Sequence, residues 1–426
     1  MVADLPVRRL GSLVVPRLDK ALGGKDTTRP YVGLEHLASG SPDLVGTAAA
    51  ETSVSTNSVF EVDDILFGKL RPYLRKCVLA DCPGYCSTDI LVLKARSGVD
   101  PRFAVRVFQS EPVVREAVAT SIGTKMPRTS WAAIQHLEVF CPPEPEQQRL
   151  AQIFDILDDT IRNTEKIIAK LKMVKQGLLH DLLTRGIDET GGLRPPPDHA
   201  PHLYKDSPLG NIPRTWHAQP FVDFGASDRP VLKTGPFGSS LKGEHWVDDG
   251  IPVITIGALG EGEFERSELL FVSERTAERL SVYQVLPGDV VFSRVADVGR
   301  SVVVSARESG WIMSSNLMWI SLDSSKANPG FLWLNLNANH VVRDQIRRGV
   351  NAGGREVANG PILRALQFAW PDLDEQHRIV TAAASVRDLE RAECHRLLKL
   401  RDLRSGLSDD LLTGRVRVPV LDEVVA

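Results

Sequence analysis

Cysteine is scarce, with five in 426 residues, and irregularly placed. That excludes a disulfide framework, which a chain long enough to bury a large core does not need. The one cluster, Cys77, Cys82 and Cys86, leaves four and three residues between successive thiols and has no His nearby. Zinc sites show a CxxC knuckle and four ligands, so these cysteines read as small buried apolar side chains. No apolar run approaches the roughly 18 residues that span a bilayer, and the opening MVADLPVRRL lacks the apolar core of a secretory signal. The expected compartment is the cytoplasm. Nor is there an excess of basic charge: the net charge is −3, whereas stand-alone nucleic-acid binders are usually basic. Against this, Arg outnumbers Lys by 36 to 15, and Arg is the better bidentate reader of phosphate and guanine. Composition alone leaves nucleic-acid binding open.

The sequence also lacks the motifs of self-contained catalysis. There is no GxxxxGK[ST] loop, and the Gly-rich stretch 257–262, GALGEG, does not fit GxGxxG. There is no HExxH, no GxSxG, and no (D/N/S)PP(Y/F) of the kind amino-methylating enzymes use, since Pro142 and Pro143 precede Glu and the prolines 195–197 precede Asp. The ten His are scattered without metal-ligand spacing. The acidic pairs Asp63–Asp64 and Asp248–Asp249 stand in turn-like contexts and read as solvated surface. These absences describe a binding protein with no catalytic residues, no metal and no cofactor of its own.

What the sequence does have is an internal repeat, the feature to seek first in any chain. Residues 146–184 align without a gap to 375–413 at an offset of 229, with 13 identities in 39 positions, too many for chance. The matches crowd at both ends, Glu146, Gln147 and Arg149 with Glu375, Gln376 and Arg378, and Asp181 to Thr184 with Asp410 to Thr413. Pro142 and Leu137 meet Pro371 and Leu366 at the same offset. Both segments read as long helices, because apolar residues recur at steps of three and four. The first series is Leu150, Ile153, Leu157, Thr160, Thr164, Ile167, Leu171, Val174, Leu178; the second is Ile379, Ala382, Val386, Leu389, Glu393, Arg396, Leu400, Leu403, Leu407. All seven Trp lie outside them, in segments with short β-type runs. The Pro/Gly-rich 191–200, GGLRPPPDHA, reads as a linker that stops the first helix. The intervening domains echo one another too: DILF at 64–67 and DVVF at 289–292, each followed by basic residues, then Ser87, Thr88, Asp89 against Ser314, Ser315, Asn316.

The expected fold is α+β: two mixed α/β globular domains alternating with two long helices that pair as an antiparallel coiled coil, the whole a pseudo-two-fold repeat. The expected boundaries are 1–144, a helix at 145–187, a linker at 188–207, a second domain at 208–374, a helix at 375–415 and a tail at 416–426. An antiparallel pairing follows if each domain's termini lie close together. About 30 helical residues would make a rod of roughly 45 Å.

Candidate nucleic-acid contacts lie in basic loops. FGKLRPYLRK at 67–76 offers Lys69, Arg71, Tyr73, Arg75 and Lys76 with no acid among them. Lys125 and Arg128 stand in GTKMPR, and Ser239, Ser240 and Lys242 in GPFGSSLK. Arg294 and Arg300 follow DVVF, and Arg347, Arg348, Asn351 and Arg355 close the set. Taken singly, the loop at 67–76 is about evenly balanced between nucleic-acid contact and ordinary surface, and each of the others reads more readily as ordinary surface.

Several of these segments together resemble the specificity subunits of type I restriction-modification systems. The likeness is carried by ILFGKLRPYLRK at 65–76, PPEPEQQRLAQIFDILDDTI at 142–161, KQGLLHDLLTRGI at 175–187, KDSPLGNIPRTW at 205–216, GPFGSSLK at 235–242, LPGDVVFSRVADVG at 286–299 and SGLSDDLLTGRV at 405–416, and it runs over essentially the whole chain. The resemblance implies two target-recognition domains, each reading one half of a split double-stranded DNA target, with helices that fix the spacing. It also implies partners: two methyltransferase subunits, and in restriction complexes motor-nuclease subunits, which would hold S-adenosylmethionine and ATP. A scaffold that assembles methyltransferases without reading DNA is the alternative.

Overall fold

The computed structural model describes residues 5–22, 28–40, 42, 44–53, 55–237, 240–352 and 357–418. The chain divides into two units, Met1–Lys166 with Glu393–Ala426, and Ile167–Ala392, so the division falls inside both long helices.

In the first unit a four-stranded antiparallel sheet runs in the order Val14–Pro16, Ile90–Ala95, Ile65–Gly68, Cys77–Leu79. Every residue of Ile65–Gly68 is buried, which is why ILFG reads as a continuous apolar run and not as an alternation. The helices Pro101–Gln109 and Glu111–Ala119 supply core side chains on one side. A second sheet orders Lys20–Leu22, Thr56–Phe60, Gly84–Cys86 and Tyr31–Val32, the last two parallel. Strand Val7–Arg9 pairs with Glu138–Phe140 and brings both ends of the globular part together.

The second unit repeats this plan. Its sheets run Leu232–Thr234, Leu317–Ile320, Val290–Ser293, Ser301–Val303, and Trp246–Val247, Leu270–Val272, Ile251–Ile254, Ile312–Met313, again with one parallel pair at the end. His217–Pro220 pairs with Gln367–Trp370 as the closing ribbon. The echo of DILF in DVVF is structural: Ile65 lies opposite Leu93 as Val290 lies opposite Ile320. Asp64 and Asp289 are buried, against the expectation of solvated surface for Asp64; its neighbour Asp63 is exposed at φ 65°. Asp64 accepts the Glu61 N–H at 2.8 Å and a two-pronged bond from Arg17 at 2.6 and 3.1 Å. Asp289 accepts the Leu286 N–H at 2.8 Å and faces Arg229 at 3.1 Å. A buried carboxylate needs such partners. Burial pushes the Asp289 carboxyl above its ordinary range, with the Leu286 N–H and Arg229 opposing.

The long helices are Glu144–Thr184 and Leu373–Leu411. Leu150, Ala151 and Phe154 from the first join Leu411 and Leu412 in the core of the first unit, and Ile379 and Ala383 join Leu182, Leu183 and Ile187 in the second. The repeat is therefore strongest at its ends because the ends enter a core. Gln147 accepts the Asp100 N–H and donates to the Pro142 carbonyl; Gln376 does the same with Asn328 and Pro371. Asp100 and Asn328 are themselves the caps of helices Pro101–Gln109 and Pro329–Ala338.

Two expectations need correction. The first helix ends at Thr184, before the Pro/Gly-rich stretch, at Gly186, whose φ of 67° and close approach to Glu375 and Trp216 leave no room for a Cβ. The stretch that follows is tied down, since Arg194 bonds to Glu375 and Tyr204–Lys205 pairs with Ile212–Pro213. The seam also differs at alternate steps: Ile167, Val174, Leu389 and Leu403 are exposed, while Asp158, Ile168, Lys175, Glu390 and Arg404 turn inward. Several inward positions are charged, so hydrophobicity alone misplaces them. Within the first unit Arg404 pairs with Asp158 at 2.5 Å and Arg401 with Glu165 at 2.6 Å; within the second Lys175 pairs with Glu390 at 2.5 Å.

Candidate nucleic-acid interface

The basic turn of the first unit starts where strand Ile65–Gly68 ends. Phe67 stays in the core against Phe108, at 5.7 Å between ring centres, and anchors the turn. Pro72–Leu74 form one 3₁₀ turn between Arg71 and Arg75, both left-handed at φ 52° and 54°. Such conformations cost about 1–3 kcal/mol each for a non-glycine residue and persist where neighbours fix them. Here the neighbour is the loop at 121–129: the Arg71 N–H donates to the Pro127 carbonyl at 2.7 Å and its Nη2 to the Lys125 carbonyl at 3.2 Å. Lys69, Arg71, Lys125 and Arg128 are thereby gathered, with the half-exposed ring of Tyr73 on the same turn. Arg75 and Lys76 are engaged elsewhere, Arg75 with the Glu111 carboxylate and the Lys76 Nζ with the Leu34 carbonyl at 2.6 Å.

The second unit carries the same frame. The Lys69 N–H donates to the Asp89 carbonyl and its own carbonyl accepts the Thr129 N–H; the Arg294 N–H donates to the Asn316 carbonyl and its carbonyl accepts the Ala358 N–H. Lys69 and Arg294 thus hold equivalent stations. The Arg294 guanidinium stands 5.4 Å from the centre of the exposed Phe237 ring, a cation–π distance. Phe237 follows Gly235, where a Cβ would lie 1.9 Å from the Ser314 carbonyl oxygen, so only glycine fits. The Ser240 N–H donates to the Phe237 carbonyl, and Lys242 is exposed. Arg300 is held by Asp297 at 2.9 Å and by the Leu259 carbonyl. Arg347, Arg348 and Asn351 lie exposed on helix His340–Ala352, and Arg347 pairs with Asp344 at 3.0 Å. A hollow of about 240 Å³ between Gly299, Ile346, Arg347 and Asn351 joins this helix to the turn after Arg294. Ser239 and Arg355 lie outside the described residues.

Sequence reasoning missed three features. Asp89 grips Arg128 at 2.8 and 3.0 Å, and the Arg128 bond holds its carboxyl below the usual range. The hint was the Ser87–Thr88–Asp89 echo, where the second copy has Asn316. Ile122 and Met126 are exposed beside Lys125, and an exposed apolar residue in a basic loop has no periodic signature. Arg343 shares a second hollow with Arg300 and Asn337. Among the cysteines, burial pushes the Cys86 thiol up to about 12, and that of Cys77 upward as well. Among the described residues no helix is long and apolar enough to cross a membrane.

Comparison with known proteins agrees with this duplicated plan. The family model for the type I restriction modification DNA specificity domain matches residues 49–173. The type I restriction enzyme MjaVIII specificity subunit of Methanocaldococcus jannaschii is 20% identical over 307 residues, 70% of this chain and 67% of that protein. The putative MjaX specificity subunit of the same organism is 23% identical over 67% of this chain, and the match spans only 60% of that relative. The EcoDI specificity subunit of Escherichia coli is 26% identical over 29% of each chain. Among solved structures, a chain from work on complex assembly and conformational transition of a type I R-M system superposes with a TM-score of 0.58 at 18% identity, covering 97% of this chain and all of that one. The S subunit from M. genitalium does so with a TM-score of 0.56 at 14% identity, covering 97% of both. Within residues 49–173 the chain matches the type I restriction modification DNA specificity domain, and the curated relatives it resembles are type I specificity subunits.

Proposed function

We propose that this chain is the non-catalytic DNA-reading subunit of a type I restriction-modification complex, each globular unit reading one half of a bipartite double-stranded target. The observation that carries this reading is the station shared by Lys69 and Arg294, where one backbone frame presents basic loops twice in one chain. Duplicated readers suit a split target. The two long helices pair antiparallel and set the distance between half-sites; in support, Asp158 meets Arg404 while the later Glu165 meets the earlier Arg401. Two methyltransferase subunits dock on the helices, motor-nuclease subunits join where restriction occurs, and S-adenosylmethionine and ATP belong to those partners. Partners also supply much of the phosphate contact, which fits a chain of net charge −3. The test is selection from a randomised duplex library by the full chain co-expressed with its methyltransferase. A split motif with one fixed spacer is expected. Assembly without any selected sequence would favour the scaffold, and a single contiguous motif would contradict two readers.

A further inference from the structure

Arg128 is held in a way that a surface loop does not require. Its Nε lies 2.8 Å from Oδ1 and its Nη2 3.0 Å from Oδ2 of Asp89, fork to fork, yet its side chain remains 42% exposed. The backbone of each residue is already fixed without that pair. The Arg128 N–H and carbonyl both bond to Ile122, and the Asp89 carbonyl accepts the Lys69 N–H while its own N–H donates to the Ser87 hydroxyl. The ion pair therefore does not place the loop; it sets the direction of the guanidinium. Asp89 occupies the Nε/Nη2 edge, and among the described residues Nη1 has only a long 3.5 Å contact to the Met126 carbonyl, which leaves the Nη1/Nη2 end of a 42% exposed side chain without a strong partner.

We propose that Arg128, aimed by Asp89, reads a guanine through paired hydrogen bonds to O6 and N7 in the major groove. This rests on the DNA-reading function proposed above. Two adjacent acceptors on a base edge match two parallel N–H donors, and a guanidinium already held in place loses less freedom on binding. A phosphate contact would gain less here, because the Asp89 carboxylate alongside would repel phosphate oxygens. Asp89 stays ionised at neutral pH because Arg128 holds its carboxyl low. In the second unit the matching stations hold Asn316 and Val357, by the bonds that pair Arg294 with Asn316 and Val295 with Val357. Those two stations hold no such pair, so the preference set by Arg128 belongs to one half-site.

The experiment is the same library selection with wild type, R128A, R128K and D89A, together with salt titrations of binding. Wild type is expected to select a G·C pair in one half-site. R128A and R128K should both lose that preference, by about 5- to 140-fold, while the other half-site holds. R128K keeps the charge, so its salt slope should match wild type. D89A should weaken discrimination at the same position without lowering general affinity, since it removes a negative charge. R128K keeping the full preference would show that the aimed fork is not what reads the base and overturn the proposal, and R128A weakening all sequences equally with a salt slope lower by about 1 would make Arg128 a phosphate contact and overturn it as well. R128A with unchanged preference at every position would overturn it too. Wild type selecting no sequence at all would instead defeat the DNA-reading function beneath it.

Discussion

Arg106 Nη1 lies 2.5 Å from Asp158 Oδ2, and the two side chains are 7% and 5% exposed. This pair ties the helix Pro101–Gln109 of the first globular part to the first long helix, and Arg404 meets the other oxygen of the same carboxylate. Removing Asp158 takes a buried partner from both Arg106 and Arg404 and leaves Arg106 with the partly exposed Asp155 at 2.8 Å and Gln109 at 3.2 Å, a cost that approaches, without reaching in full, the roughly 3–5 kcal/mol of a stranded buried charge. D158A is therefore expected to lower the urea midpoint strongly. R404A should cost less, because Arg404 is partly exposed and its loss leaves Asp158 bonded to Arg106. Equal losses in the two variants, measured by urea unfolding of the full chain, would show that Arg106 does not depend on Asp158.

The engagement of Arg75 and Lys76 changes what the basic turn should contribute to binding. Arg71 is exposed and Lys69 partly so, and K69A/R71A should weaken binding to all sequences and reduce the salt slope by about 2, near 0.9 per phosphate contact. R75A/K76A should move the slope less, since Glu111 and the Leu34 carbonyl already hold those groups. Binding measured against salt concentration checks both variants. A larger change from R75A/K76A would mean that DNA displaces Glu111.

The outline of this fold was legible because it is written twice. The 229-residue offset, DILF against DVVF, and the Glu-Gln pair that opens each helix all recur in the structure at matched stations. The helix seam was less legible, because Asp158, Lys175, Glu390 and Arg404 turn inward through ion pairs while Ile167 and Val174 face outward, and a rule that places apolar residues inside misassigns all six. The candidate interface was legible as a set of basic loops and no further. Which cations are free depends on Glu111, Asp89 and the Leu34 carbonyl, all distant in sequence from the residues they hold.

If each unit reads one half-site, the strand pairing defines where a graft should begin and end. His217–Pro220 and Gln367–Trp370 form one ribbon, and separating them would leave the backbone groups of both strands unpaired. Ile212–Pro213 pairs with Tyr204–Lys205 and should stay behind. Replacing 214–370 with the equivalent segment of a relative is expected to change one half of the selected target and leave the other half and assembly intact. A chimera that assembles but changes both halves, read by library selection, would contradict independent reading.

The ion pairs between the helices in the first unit also mark where both helices can be lengthened to test whether they set the spacing. Asp158–Arg404 and Glu165–Arg401 bracket one stretch of each helix, so seven residues inserted after Ile161 and seven after Asp402 leave both pairs in register. Insertion beside Thr164 would be less clean, because that side chain is buried with its hydroxyl bonded to the Thr160 carbonyl. A heptad in each helix adds about 10.5 Å. At about 3.4 Å per base pair, that is roughly three extra pairs between half-sites. The DNA turns by about 100° over those three pairs, whereas a helix drifts only about 20° per heptad relative to its partner, so the two readers no longer face their half-sites equally well. The optimum spacer should therefore lengthen while the best affinity falls. A heptad in one helix alone would break the register of both pairs and is expected to lower stability without giving a new spacer. Selection from a library of spacer lengths reads both effects, and a folded double insertion that kept the original spacer at full affinity would show that the helices do not measure the distance.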